Sequence, residues 1–174
     1  MQHTSQGSWS EEIKKVKIFM TKTTLNFLIK DSQILLAMKK RSFGKDKWNG
    51  VGGKLQEGET LEDAIVRETE EEIGVRVEKE NLESVGIIDF IFTHNPDWDQ
   101  ECHVFITKKW QGEPRETEEM RPEWYSFDKI PYDSMWVDDR YWLPLVLEGK
   151  KIKAKFVFGD SGKTLEKWEV GEGL

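Results

Sequence analysis

Cysteine is nearly absent from the sequence: Cys102 stands alone among 174 residues. That excludes an internal disulfide and a cysteine-rich zinc site, and it fits a reducing compartment. No apolar run approaches the ~20 residues that a membrane-spanning helix needs, and the opening stretch MQHTSQGSWSEEIKKVKIF lacks the apolar centre of a secretion signal. Positive charge is also short. Against 33 Asp and Glu there are 26 Lys and Arg, a net charge of −7, and no basic run long enough to grip a phosphate backbone. These absences predict a soluble, cytoplasmic protein with no membrane or polymeric nucleic-acid partner. An anionic ligand would need a cation to accompany it. Cys102 itself reads as a small apolar residue in a strand.

What is present suffices for a core, with 37% hydrophobic and 11% aromatic residues. Residues 1–19 are polar as far as Val16 and read as an extension, leaving 20–174 as one domain. TTLNFLIK and QILLAMKK read as two strands of a hairpin about Asp31-Ser32, followed by the Gly-rich loop RSFGKDKWNGVGG and an acidic helix. SVGIIDFIFTH and ECHVFITKKW are β-rich and separated by Asn95-Pro96-Asp97, a turn signal. PEWYSF reads as a short strand, PYDSMWVDDRYWLPLVLEGK as a second helical stretch, and IKAKFVFG with TLEKWEV as a terminal hairpin. Strands and two helices sharing one core predict an α/β domain whose sheet is sandwiched between helices.

The acidic helix carries the chemistry. Thr60 and Asp63 form a variant capping box and Gly74 suits the position after the last turn, so the helix should span about Leu61 to Ile73. At about 100° per residue, Leu61, Ala64, Ile65, Glu68, Glu71 and Glu72 share one sector, whereas Glu62, Asp63 and Glu70 point elsewhere. Unpaired carboxylates on an inward stripe are costly, and mutual repulsion raises their pKa values unless a cation joins them. A hard divalent cation such as Mg²⁺ is the natural partner, since it takes few carboxylates and keeps room for water and phosphates. Arg67 can pair with an acid and orient it. Gly50, Gly52 and Gly53 permit tight turns just before the helix.

Gly53, five residues, Glu59, seven residues, then Arg67-Glu68-Thr69-Glu70-Glu71-Glu72-Ile73-Gly74-Val75 resembles a complete Nudix box, G-x5-E-x7-R-E-U-x-E-E-x-G-U. Thr69 occupies a position that is usually aliphatic. The resemblance implies a Nudix-type α/β/α sandwich with a mixed sheet and a catalytic loop-helix-loop. It also implies a hydrolase of nucleoside diphosphate derivatives that uses Mg²⁺ or Mn²⁺. LLAMKKRSFGKDKWNGVGGK and EMRPEWYSFDKIPYDSMWVDDRYWLPLVLEGKK further resemble the branch of that family acting on oxidised purine nucleoside triphosphates. By that similarity Glu68, Glu71 and Glu72 hold metal with the Gly53 carbonyl and Glu119, and Glu71 or Glu72 serves as base beside Arg67. A metal-activated water attacks the triphosphate, releasing monophosphate and pyrophosphate. Candidate substrates are 8-oxo-dGTP, 2-hydroxy-dATP and O6-methyl-dGTP, handled by a monomer.

The same similarity assigns the base pocket to Thr24, Lys39, Phe43, Asn49, Phe90, Phe92, Met120, Trp136, Asp138, Asp139 and Trp142. From the residues alone, a flat heterocycle can stack on indole at Trp136 or Trp142 while Asp138 and Asp139 read its edge. Adjacent acids in such a pocket do not both ionise easily, so one keeps a proton. Asn49 offers both a donor and an acceptor. Phe90, Phe92 and Met120 also suit ordinary core packing, and His94 and His103 read as strand residues. Trp9, Trp98, Trp110 and Trp168 match no pocket position. Two positions depart from the family pattern: Gln100 stands where a methionine is usual, and Val137 replaces a proline. A Nudix hydrolase of another diphosphate derivative and a non-catalytic nucleotide sensor are the competing readings.

Overall fold

The computed structural model describes His3–Thr4 and residues 20–173. Apart from His3–Thr4, the extension over residues 1–19, with Trp9, lies outside the described residues. Asp31 and Ser32 both adopt left-handed φ, 51° and 62°, as a two-residue hairpin turn requires. They join β2 (Thr21–Lys30) to β3 (Gln33–Lys39), which pair only next to the turn, Ile29 with Ile34 and Lys30 with Gln33. Beyond it the strands splay. β2 runs parallel to β6 (Gln100–Thr107), and β3 runs antiparallel to β7 (Met120–Ser126) and to the short β4 (Trp48–Asn49). The hairpin is therefore a corner that opens a cleft between its own strands.

β5 (Leu82–Phe92) pairs antiparallel with β6 and parallel with β8 (Ile152–Gly159), whose hairpin partner is β9 (Thr164–Glu172). His3–Thr4, as β1, extends the edge along β9. The order β1-β9-β8-β5-β6-β2-β3-β4, with β7 on β3, makes a mixed sheet. Residues 23–28 of β2 are all buried, as expected of a strand covered on both faces.

One helix covers each face. α1 (Leu61–Ile73) is capped as the sequence predicts: Thr60 Oγ1 accepts from the Asp63 N–H at 3.1 Å, and Asp63 Oδ2 accepts from the Thr60 N–H at 3.0 Å. Gly74, at φ 70°, closes it by donating its N–H to the Glu70 carbonyl. Ile65 and Ile73 of α1 pack with Leu28, Val51, Val75 and Phe105. Truncating Ile65 to Ala there would cost about 2–5 kcal/mol. α2 (Asp139–Leu147) buries Trp142, Leu143 and Val146 in the opposite cluster with Phe27, Ile88 and Phe156. It is shorter than the stretch PYDSMWVDDRYWLPLVLEGK. Tyr132–Ser134 forms a 3-10 turn and Met135 is extended at φ −122°, ψ 175°, so the chain restarts as a helix only at Asp138.

Candidate active site

α1 faces the splayed corner between β2 and β3. Segment 50–54 crosses that corner, with Val51 bridging to Asn26 and Lys54 to Thr23. The segment brings Gly53 so close to Glu68 that a Cβ at Gly53 would lie 2.6 Å from Glu68 Oε1. Glu72 sits beside it, buried at 3% exposure, with Oε2 lacking any hydrogen-bond partner. Burial and the neighbouring Glu68 carboxylate push the Glu72 carboxyl up to about 9, while Lys39 and the Gly52 N–H pull the other way. Two acids crowded against a glycine, one with an orphaned oxygen, match what a divalent cation needs. Among the described residues no three His, Cys, Asp or Glu side chains close on one point. Glu68 and Glu72 are side chains that could hold such an ion, leaving positions for further ligands, water and phosphate oxygens.

The other three expected ligands have protein partners. Glu71 is exposed and its Oε2 accepts from Arg67 at 3.2 Å. The Gly53 carbonyl accepts from the Thr24 N–H at 2.9 Å and from Thr24 Oγ1 at 3.4 Å. Glu119 lies at the surface, 3.2 Å from Arg41. Arg67 organises the loop and helix. Its guanidinium donates to both oxygens of Glu59 at 2.5 and 3.0 Å, to Glu68 at 2.9 Å and to the Lys54 carbonyl at 3.3 Å. That contact holds the Glu59 carboxyl below its ordinary range.

On the far side of β2 a cavity of about 260 Å³ opens, lined by Thr24, Lys39, Phe43, Asn49, Phe90, Phe92, Met120, Trp136, Asp138 and Asp139. Trp142 alone of the expected pocket residues lies outside this wall. It is fully buried one helical turn beyond Asp138 and donates its indole N–H to Asp138 Oδ2 at 2.8 Å. Aromatic rings form the other wall, with Phe43 at 5.1 Å from Trp136 and Phe92 stacked on Phe158 at 4.9 Å between centroids. Asp138 and Asp139 are both buried, at 1% and 3% exposure, and Asp139 Oδ2 has no partner. Burial raises both carboxyls. The charge of Asp138 raises Asp139 further, whereas the Trp142 N–H steadies an ionised Asp138. The two carboxyls therefore do not ionise together easily, and Asp139 is the one raised further. Asn49 uses its side-chain oxygen on the Gly50 N–H at 2.8 Å, which leaves its amide N–H groups as donors.

Sequence reasoning missed Lys47, Lys54, Phe158 and Cys102 as wall residues. Lys47 Nζ lies 5.4 Å from the Trp136 ring centroid. Cys102 does sit buried in a strand, but its face is the cavity. Burial and the aspartate charges push its thiol up to about 12, so it presents a neutral S–H. Strand alternation was the available signal, since Cys102 lies two residues from Gln100, already placed near the pocket.

Residues 20–146 match the NUDIX domain model. The chain belongs to the NUDIX family. It is 45% identical over 142 residues to the mouse oxidized purine nucleoside triphosphate hydrolase, covering 82% of this chain and 89% of that protein. The zebrafish protein of the same name is 44% identical over 135 residues, covering 78% of this chain and 85% of its own. Among solved structures, the MutT protein of Bacillus halodurans superposes with a TM-score of 0.75 at 22% identity, over 87% of this chain and 97% of that one. The NUDIX fold is thus shared with a sequence that has diverged widely. No helix among the described residues is long and apolar enough to cross a membrane.

Proposed function

We propose that this chain hydrolyses oxidised or otherwise modified purine nucleoside triphosphates to the monophosphate and pyrophosphate, clearing them from the cytoplasmic nucleotide pool. The observation that carries the reading is the buried pair Asp138 and Asp139 at one wall of an aromatic cavity, where burial raises both carboxyls. The names of the mouse and zebrafish relatives agree with it. A protonated acid donates while its ionised neighbour accepts, so the pair can read a purine edge whose donor and acceptor pattern has been altered by oxidation. Asn49 adds donors, and the rings of Phe43 and Trp136 take the flat faces.

Lys39 and Lys54 line the cavity and face the charge of a triphosphate. Mg²⁺, or Mn²⁺ in its place, held by Glu68 and Glu72, would neutralise phosphate charge and lower the pKa of a nearby water. Arg67 fixes Glu68 relative to Glu59 and the Lys54 carbonyl and holds Glu71 at 3.2 Å, where Glu71 is placed to accept a proton from water. Thr24 locks the Gly53 loop against β2. All of these groups lie within residues 20–174, which we propose as the catalytic domain of a monomer.

The test is pyrophosphate release from 8-oxo-dGTP, 2-hydroxy-dATP, O6-methyl-dGTP and the unmodified nucleotides, with Mg²⁺ and with chelator. Preference for a modified purine is expected. Metal-dependent cleavage without preference would refute the assignment and redirect it to another diphosphate derivative.

A further inference from the structure

The purine cavity does not end at its aromatic wall. A second cavity of about 180 Å³ adjoins it, bounded by Phe43, Lys54, Asp97, Trp98, Asp99 and Gln100. Phe43, Lys54 and Gln100 line both cavities. Strand geometry orders them along one path. Cys102 and Gln100 are alternate residues of β6, so they face the same side about 7 Å apart. Cys102 lies near enough to the aspartate pair to feel its charge. Gln100, in register with Thr21, stands at the outer end.

The outer cavity has its own chemistry. Trp98 meets Phe43 edge to face at 4.8 Å. Gln100 is held at both ends: Oε1 accepts from Thr23 Oγ1 at 3.0 Å, and Nε2 donates to the Trp98 carbonyl at 3.2 Å. One amide N–H remains for a ligand. Asp99 accepts the Phe92 N–H through Oδ1 at 2.7 Å, and its second oxygen has no donor among the described residues. Asp97, Trp98 and Asp99 line this second cavity and not the first.

We propose that the second cavity is a sugar-side subsite, taking a hydroxyl or a flat substituent carried on the 2′ or 3′ oxygen of the bound nucleotide. The inference rests on the purine lying against Asp138 and Asp139, as proposed above. With the base there and the phosphates drawn toward Glu68 and Glu72, the sugar joining them passes the wall common to both cavities. Its 2′ and 3′ oxygens are the atoms that branch off this path. Hydroxyl hydrogens find acceptors on Asp97 and Asp99, a hydroxyl oxygen accepts from the free Gln100 amide N–H, and a flat group fits against Trp98. One water takes about 30 Å³ of liquid, so a cavity of about 180 Å³ holds far more than a hydroxyl. Ribonucleotides and 2′/3′-O-esters both fall within its range.

A fluorescence titration with the 2′/3′-O-anthraniloyl ester of 8-oxo-GMP tests this without turnover, with 8-oxo-GMP and 8-oxo-dGMP as competitors. The ester should bind at least as tightly as 8-oxo-GMP and be displaced by 8-oxo-dGMP. Trp98→Leu should weaken the ester about tenfold and 8-oxo-dGMP by less than about twofold, the scale of one lost ring contact. Gln100→Leu, which keeps the aromatic wall, should lower affinity for 8-oxo-GMP relative to 8-oxo-dGMP by about fivefold, one hydrogen bond's worth; it decides the matter if Trp98→Leu does not fold. An ester weaker than 8-oxo-GMP by more than about tenfold, or equal loss of both ligands in the variants, overturns the subsite alone. Failure of 8-oxo-dGMP to bind or to displace the ester removes the base-cavity reading, and the subsite with it.

Discussion

Replacing Asp138 by Asn and Asp139 by Asn should have unequal consequences, because the two carboxyls divide one proton. Burial raises both, but only Asp139 also feels a neighbouring negative charge as its leading partner, while Asp138 is steadied by the Trp142 indole N–H at 2.8 Å. Asp139 is accordingly the neutral donor and Asp138 the charged acceptor. Asn at 139 keeps the shape and a donor. Asn at 138 removes the charge toward which a purine N–H would point. Hydrogen bonds to charged groups contribute about 1.5–3 kcal/mol, so Asp138→Asn should lose about 10- to 150-fold in kcat/KM for 8-oxo-dGTP. Asp139→Asn exchanges one neutral donor for another and should stay within about fivefold. Half-saturation by Mg²⁺ should be unchanged in both, since neither residue lies at α1.

Stability against pH gives an independent reading of the same proton. A carboxyl whose folded pKa is raised contributes its stability fully below the unfolded value and loses it as pH rises through the folded value. Wild type should therefore lose stability upward from about pH 4, first through Asp138, pushed up to about 6, and then through Asp139 at higher pH. Asp139→Asn deletes the later loss, so its melting temperature should fall less steeply on the alkaline side. Kinetics of pyrophosphate release from 8-oxo-dGTP and dGTP, with melting curves from about pH 5 to 9 at saturating Mg²⁺, check both statements. Equal kinetic loss in the two variants, or an Asp139→Asn melting profile as steep as wild type, would refute the assignment of the proton.

Glu72→Gln keeps the shape of the side chain and removes its charge; Mg²⁺-dependent pyrophosphate release should fall by about 100-fold or more, and the rise in melting temperature on adding Mg²⁺ should vanish. Gly53→Ala places a methyl 2.6 Å from Glu68 Oε1, so the carboxylate must move and the Mg²⁺ concentration for half-maximal rate should rise about tenfold or more; an unchanged metal titration would show that Glu68 is not a ligand. Arg67→Lys cannot span Glu59, Glu68 and the Lys54 carbonyl together. With both acids left poorly paired, chemical denaturation should show a loss of stability, together with a fall in kcat.

The acidic helix was legible in the sequence from its first residue to its last because its signals are local: Thr60 and Asp63 cap it and Gly74 ends it. Its rotation against the sheet was not. A sector drawn at about 100° per residue includes Glu71, yet α1 buries Thr69 at 0% exposure and leaves Glu71 to solvent and Arg67. The buried Thr69 meets a partner far away in sequence. Asn26 of β2, buried at 1% exposure, donates to Thr69 Oγ1 at 3.4 Å and accepts from Thr107 Oγ1 at 2.8 Å. A hydroxyl there satisfies a buried amide that an aliphatic side chain would leave short of a partner. The same reasoning applies to Trp142. Its spacing from Asp138 is correctly one helical turn, but the helix points the ring into the core with Phe27 at 6.1 Å, so it serves the aspartate from behind instead of stacking on a base. In both places the sequence identifies the chemical group and its distance along the helix. The face it presents is decided by strands brought together across dozens of residues, and that contact determines how deeply each side chain is buried.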